Sequence, residues 1–161
     1  MEWDFVPFAY GSPDSERDED GYIVPLRKTS RSKLNAYLSK FNFRPDDVLY
    51  DLGCGNGKVL ERFAAHGCPE IHGVELNPEI AVGCDSNLNV VQGDIYETDL
   101  SRATIIFIYL GCTLPDLFAL LDKLFEAGQL RMVISYHFML LDWPRPYEYD
   151  EESNMYTYTK E

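Results

Sequence analysis

Apolar residues fall in short blocks along this chain, and the spacing within those blocks changes from one segment to the next. From Ser30 to Phe41, Leu34, Tyr37, Leu38 and Phe41 recur at helical spacing, with Thr29 or Ser30 placed to cap the N-terminus. Pro45-Asp46-Asp47 reads as a turn. VLYDL is then a continuous apolar run of strand length, and Lys58 to Ala65 supplies the helix after it. IHGVEL, NVVQGD and ATIIFIYL predict three further strands. LPDLFALLDKLFEAG sets Leu117, Leu120, Leu121 and Leu124 on one helical face and ends on a glycine. RMVISYHFML predicts a fifth strand. PYEYD and MYTYT alternate in polarity around EESN, the pattern of two strands and a hairpin turn.

Strands without polar alternation, separated by helices, predict an α/β doubly wound sheet that is mostly parallel and covered on both faces. The tail adds an antiparallel pair at one edge. One domain is expected over residues 30–161, preceded by an acidic, irregular segment over 1–29. No repeat or low-complexity tract interrupts it.

Composition narrows the partners. The chain has 161 residues, 45% apolar and 14% aromatic, enough to bury a core without staples. No apolar run reaches the ~18 residues of a membrane span. The N-terminal stretch has neither a signal-peptide core nor an Arg-rich transit pattern, so a cytoplasmic protein is expected. Cys54, Cys68, Cys84 and Cys112 lack CxxC pairing and histidine partners at metal spacing, and read as reduced thiols with no metal site. The net charge of -13 opposes nucleic-acid binding, which needs a basic footprint, and favours a basic partner. Residues 1–21 hold seven acids and one arginine, whereas residues 22–45 hold six basic residues and no acid. The basic stretch reads first as a solvated helix face.

The candidate chemistry begins at VLYDLGCGNGKVL, residues 48–60. In a doubly wound sheet, ligands bind beyond the carboxyl ends of the strands, where Gly53, Gly55 and Gly57 would sit. The dinucleotide pattern GxGxxG is not met, because Lys58 leaves the spacing GxGxG, and no GK[ST] follows for a P-loop. Asp51 at the strand end would repel a phosphate and suits a cationic amine. Glu75, about 20 residues past the loop, can accept both hydroxyls of a ribose. Asp94, at the end of the third strand, can accept from an adenine amino group. An adenosine with a ribose diol, an amino-acid tail and no phosphate is S-adenosylmethionine.

These residues resemble the class I, seven-strand S-adenosylmethionine-dependent methyltransferases, from about Thr29 to the end. DDVLYDLGCGNGKVL, GVELN, GDIYETDLSRATIIFIYL, RMVISYHF and the following W-x-P look like the small archaeal broad-specificity protein-lysine methyltransferases. Their eukaryotic mitochondrial relatives, which modify ATP-synthase lysines, share the pattern. The resemblance implies a Rossmann-like sheet of order 3-2-1-4-5-7-6, with S-adenosylmethionine as cofactor. It implies cofactor contacts from Thr29, Asp51, Gly53, Cys54, Gly55, Gly57, Glu75, Leu76, Asn77, Asp94, Ile95 and Tyr109. Residues 30–161 would form the methyltransferase domain, acting as a monomer on a protein that presents a lysine.

Two departures stand out. Between Glu75 and Asn89 lie only residues 76–88, close to the minimum for a parallel crossover. A full helix usual in the family shrinks here to a turn or two, with Gly83 weakening it. VPLRKTS replaces a Pro-rich segment, and the acidic lead-in has no counterpart in the family. The fourth strand ends IYLGCTLP, without the NPPY or DPPY of enzymes that methylate base amines or glutamine. Tyr109, Leu110 and Thr113 are expected to line the acceptor channel, with Ser135, Tyr136 and His137 contributed by the fifth strand. Tyr109, His137 and Trp143 are the candidate catalytic residues, although a strand histidine is more often structural and Trp143 can equally pack on the sheet edge. A methyltransferase for a small molecule or another side chain, and a non-catalytic cofactor-binding scaffold, stay open as alternatives.

Overall fold

The computed structural model describes residues 29–109 and 115–160. Helix α1 spans Arg31–Ser39, with the Ser30 hydroxyl accepting from the Lys33 N–H and Leu34, Tyr37 and Leu38 buried. It stops short of Phe41, which packs instead on Phe43 at a ring distance of 4.6 Å. Strand β1 is Val48–Leu52, all five residues buried, and helix α2 is Lys58–Ala65. Strand β2 (Glu70–Glu75), the five-residue helix α3 (Pro78–Val82) and strand β3 (Val90–Gln92) follow. Strand β4 is Ile105–Ile108, helix α4 Pro115–Ala127 and strand β5 Met132–Tyr136. Strands β6 (Tyr147–Asp150) and β7 (Met155–Thr159) close the chain.

The sheet order is β3-β2-β1-β4-β5-β7-β6. Strands β1 to β5 pair in parallel, and β7 runs antiparallel to both β5 and β6. The tail therefore forms the expected antiparallel pair, and β7 is the strand that reverses. Side chains of β1 and β4 part by the strand period of two. Leu49, Ile105 and Phe107 join Leu34, Leu38, Leu60 and Phe63 on the α1–α2 face. Tyr50, Leu52, Ile106 and Ile108 join Leu117, Leu121 and Phe125 on the α4 face. The acidic segment over residues 1–28, with Leu110, Cys112 and Thr113, lies outside the described residues. Among the described residues no helix is long and apolar enough to cross a membrane, and no group of three His, Cys, Asp or Glu could hold a metal ion. Cys54, Cys68 and Cys84 are free thiols.

The end of the sheet away from the glycine loop is pinned by one carboxylate. Asp47, 1% exposed, accepts from Arg131 Nε at 2.9 Å and Nη2 at 2.6 Å, from Thr104 Oγ1 at 2.8 Å and from the Arg44 N–H at 2.7 Å. These bonds tie together the starts of β1, β4 and β5. Burial disfavours the charge on Asp47, but the bonds from Arg131, the Arg44 amide and Thr104 outweigh it and hold its pKa below the usual range. The stability this contributes is present above the ordinary carboxylate pKa and is lost as pH falls through the lowered one. Arg131→Ala leaves a buried, unpaired charge and is expected to cost about 3–5 kcal/mol in urea denaturation at pH 7. That deficit should shrink in acid, where Asp47 is protonated in the variant.

Candidate active site

The glycine loop leaves β1 through three residues in the left-handed region, Gly53, Gly55 and Gly57, at φ of 80°, 56° and 85°. At Gly57 a side chain is doubly opposed, since an added Cβ would lie 2.6 Å from Leu88 Cδ1. The Gly53 and Cys54 N–H groups both donate to Val74 O, at 2.8 and 3.1 Å, which holds the loop against β2. Cys54 is buried, and burial first, then the charges of Asp51 and Glu75, push its thiol pKa up. It fills space beside Gly73, where an added Cβ would meet its Sγ at 2.6 Å.

Glu75 closes this arrangement. It is 5% exposed, and its Oε1 accepts the Gly55 N–H at 2.8 Å while Oε2 accepts the Asn77 N–H at 3.0 Å. A carboxylate has about four acceptor sites, so two stay available for a diol. Its main-chain oxygen takes the Gly93 N–H at 2.9 Å, placing the Asp94 turn beside it. Asp94 is exposed and caps the single turn Ile95–Glu97 through the Tyr96 N–H at 2.9 Å. Asn77 caps α3 through the Glu79 and Ile80 N–H groups. Leu76 is 68% exposed and Val82 88%, so the wall after β2 is as thin as the short connection predicts.

Asp51 differs from both other acids. It is 3% exposed, and no hydrogen bond to its carboxylate forms among the described residues. Burial, and next the charge on Glu75, push its pKa up to about 8. A cationic amine would bring it down again. This donor set fits S-adenosylmethionine: Asp51 could hold the amine, Glu75 the ribose, and Asp94 with Ile95 could flank the adenine.

Beyond β4 the site turns aromatic. Tyr109 lies 4.9 Å from the Tyr136 ring and 5.6 Å from Phe138, and the Tyr136 hydroxyl accepts from the main-chain N–H of Ser30, next to Thr29. The fifth strand is shorter than its sequence predicts because His137 turns left-handed, at φ 72°. The Ser135 hydroxyl meanwhile donates to Phe138 O at 2.6 Å. The His137 N–H donates to Asn154 O at 2.7 Å, and its Nδ1 meets Asn154 Nδ2 at 2.7 Å. The Tyr149 hydroxyl donates to Asn154 Oδ1 at 2.8 Å. With its oxygen so engaged, Asn154 donates to Nδ1, leaving the hydrogen of the neutral ring on the exposed Nε2. Asn154 and Tyr149 were missed in the sequence, where the EESN turn and the YEYD alternation give positions but not partners.

Trp143 takes the packing position that the sequence left open beside a catalytic one. It is 6% exposed, stacks on Phe118 at 5.2 Å and donates to Asp122 Oδ1 at 3.1 Å. It packs α4 against the sheet.

No family model matches the chain. A protein-lysine N-methyltransferase of Saccharolobus islandicus (strain REY15A) is 27% identical over 144 residues, 82% of this chain and 88% of the relative. An RNA methyltransferase from Salinibacter ruber, solved with S-adenosyl-L-homocysteine, aligns at TM-score 0.61 and 29% identity over 83% of this chain and 93% of its own. The 23S rRNA methyltransferase ErmE, at TM-score 0.50 and 17% identity over 66% and 45%, shares the fold alone.

A raised Asp51 pKa means that the folded protein holds this proton more tightly than the unfolded chain. The stability Asp51 contributes is therefore full below the usual carboxylate range and lost as pH rises towards about 8. Asp51→Asn is expected to raise the melting temperature of the ligand-free protein, by more at pH 8 than at pH 5. The same variant should bind S-adenosylmethionine at least about tenfold more weakly, as buried charge-assisted contacts are the strong ones. Thermal melts at both pH values and calorimetry check the two arms.

Proposed function

We propose that this chain, a class I S-adenosylmethionine-dependent methyltransferase, methylates the ε-amine of lysine in protein substrates. The observation that carries this reading is the cluster of Tyr109, Tyr136 and Phe138 at the ends of β4 and β5, bordered by exposed His137. Aromatic faces attract an alkylammonium before it loses its proton. The relative from Saccharolobus islandicus, a protein-lysine N-methyltransferase matched over 88% of its length, supports it. The Salinibacter ruber neighbour is an RNA methyltransferase, but a net charge of -13 opposes the phosphate contacts that an RNA substrate requires.

The cofactor supplies a methyl group on a sulfonium. The lysine nitrogen forms the new N–C bond with its lone pair as the C–S bond breaks, that bond's electrons staying on sulfur. Before attack the ammonium must give up a proton, against an unperturbed pKa of about 10.4. His137, whose Nδ1 is engaged by Asn154, is assigned no part in removing that proton. We assign His137 to holding the substrate as a donor, Tyr109 to walling the acceptor, and the proton to water. Trp143 supports the site only through packing.

Mass spectrometry of a lysine-containing peptide incubated with enzyme and cofactor should show methyl-lysine. The value of kcat/KM should rise about tenfold per pH unit from 7 to 9, as the neutral amine becomes commoner. His137→Ala is expected to lower kcat/KM about tenfold while cofactor affinity changes less than about twofold. Methyl transfer to an RNA oligonucleotide or a small amine, with lysine peptides untouched, would sink the proposal.

A further inference from the structure

The outer edge of the sheet carries a second concavity that methyl transfer does not use. A cleft of about 320 Å³ lies between α1 and the β6–β7 hairpin, near the low end of the range for ligand pockets. Tyr37 and Phe41 give it aromatic walls, Glu148 and Asp150 give it carboxylates, and Lys40 also lines it. The Tyr37 hydroxyl is fixed at 2.6 Å from Thr157 Oγ1.

The chain's own lysine shows what this cleft takes. Lys40 Nζ donates to Asp150 Oδ1 at 2.9 Å and to Glu152 Oε1 at 3.1 Å, an alkylammonium between two carboxylates beside aromatic rings. Its side chain is 50% exposed and that of Glu152 68%, so this pair is weak and exchangeable. Glu148 is exposed and has no ion-pair partner among the described residues. Among the described residues Glu148, Asp150 and Glu152 outnumber the cations beside the cleft, Lys40 and the Arg131 guanidinium, which lies 5.6 Å over the Phe41 ring and is held by Asp47. Strand β6 is also the sheet edge, where an extended peptide can add main-chain hydrogen bonds. Finally, strand β6 reaches the acceptor side. Between Glu148 and Asp150, Tyr149 turns to the other face of the sheet and bonds Asn154, which holds His137, whose ring lies 4.7 Å from Phe138.

We propose that this cleft is a docking subsite for a second lysine side chain of an extended basic substrate, whose backbone runs along β6 while its target lysine reaches Tyr109. The proposal rests on the lysine reading above and adds to it a preference for substrates rich in lysine. Attraction at an acidic edge acts on encounter and on KM, and leaves the chemical step alone.

The test uses the full chain, the double variant Glu148→Gln/Glu152→Gln and the reversal Glu148→Lys, none of them in the cofactor or acceptor site. One probe is a fluorescent peptide with three lysines spaced by serines; the other carries a single lysine. Anisotropy at low salt should show the three-lysine peptide binding the wild type and binding the double variant about fivefold more weakly. KM for that peptide should rise by the same factor, with kcat, cofactor affinity and turnover of the single-lysine peptide unchanged. Equal binding by wild type and variants, or an unchanged KM, overturns the proposal. So does wild-type self-association that the variants abolish while peptide binding is unaffected, which would give this face to a second copy of the chain. A peptide that binds through Glu148 and Glu152 but is never methylated removes the lysine reading of the active site instead.

Discussion

Two carboxylates buried on adjacent strands, Asp51 and Glu75, raise each other's energy at the root of the glycine loop, and the surrounding backbone is arranged to hold them there. Glu75 receives the larger share of support. Its carboxylate takes N–H groups from Gly55 and Asn77, and its carbonyl takes that of Gly93. One residue thereby fixes the loop after β1, the connection after β2 and the turn after β3. Asp51 receives no comparable hydrogen bond among the described residues. The two apolar layers against the sheet supply the stability that offsets this arrangement.

Asp47 and Asp51 make the point within one strand and the residue before it. Both are almost fully buried, at 1% and 3% exposure. Arg131, Thr104 and the Arg44 amide surround the first and lower its pKa, whereas the second meets only desolvation and a like charge. Solvent exposure is nearly equal, but Asp51 lies deeper in the protein, while at Asp47 the hydrogen-bonding partners outweigh desolvation. Asp47 joins strands at the end of the sheet away from the glycine loop, and Asp51 lies at the end that carries it.

The sequence disclosed these elements unevenly, for physical reasons. VLYDL, the helix over Lys58–Ala65 and the amphipathic α4 were legible because each carries its own periodicity or a run buried on both faces. The acids at the strand ends were legible because the doubly wound topology sends strand ends to a common place. The end of β5 was not. His137 adopts a left-handed backbone held by Asn154, a partner across the sheet that no local pattern announces. The partners of Trp143 were hidden for a similar reason, since Phe118 and Asp122 come from helix α4, outside its own local pattern. Ring and hydroxyl contacts between remote segments leave no periodic trace in either one.

The five-residue helix after Glu75 also bears on timing. With Leu76 and Val82 turned largely to solvent, the connection after β2 offers a bound cofactor little wall. A ligand gripped at its charged tail and sugar but loosely sided at its base has a short path out. Each catalytic cycle ends with a spent cofactor to be exchanged for a fresh one, so a thin wall favours rapid exchange over long residence.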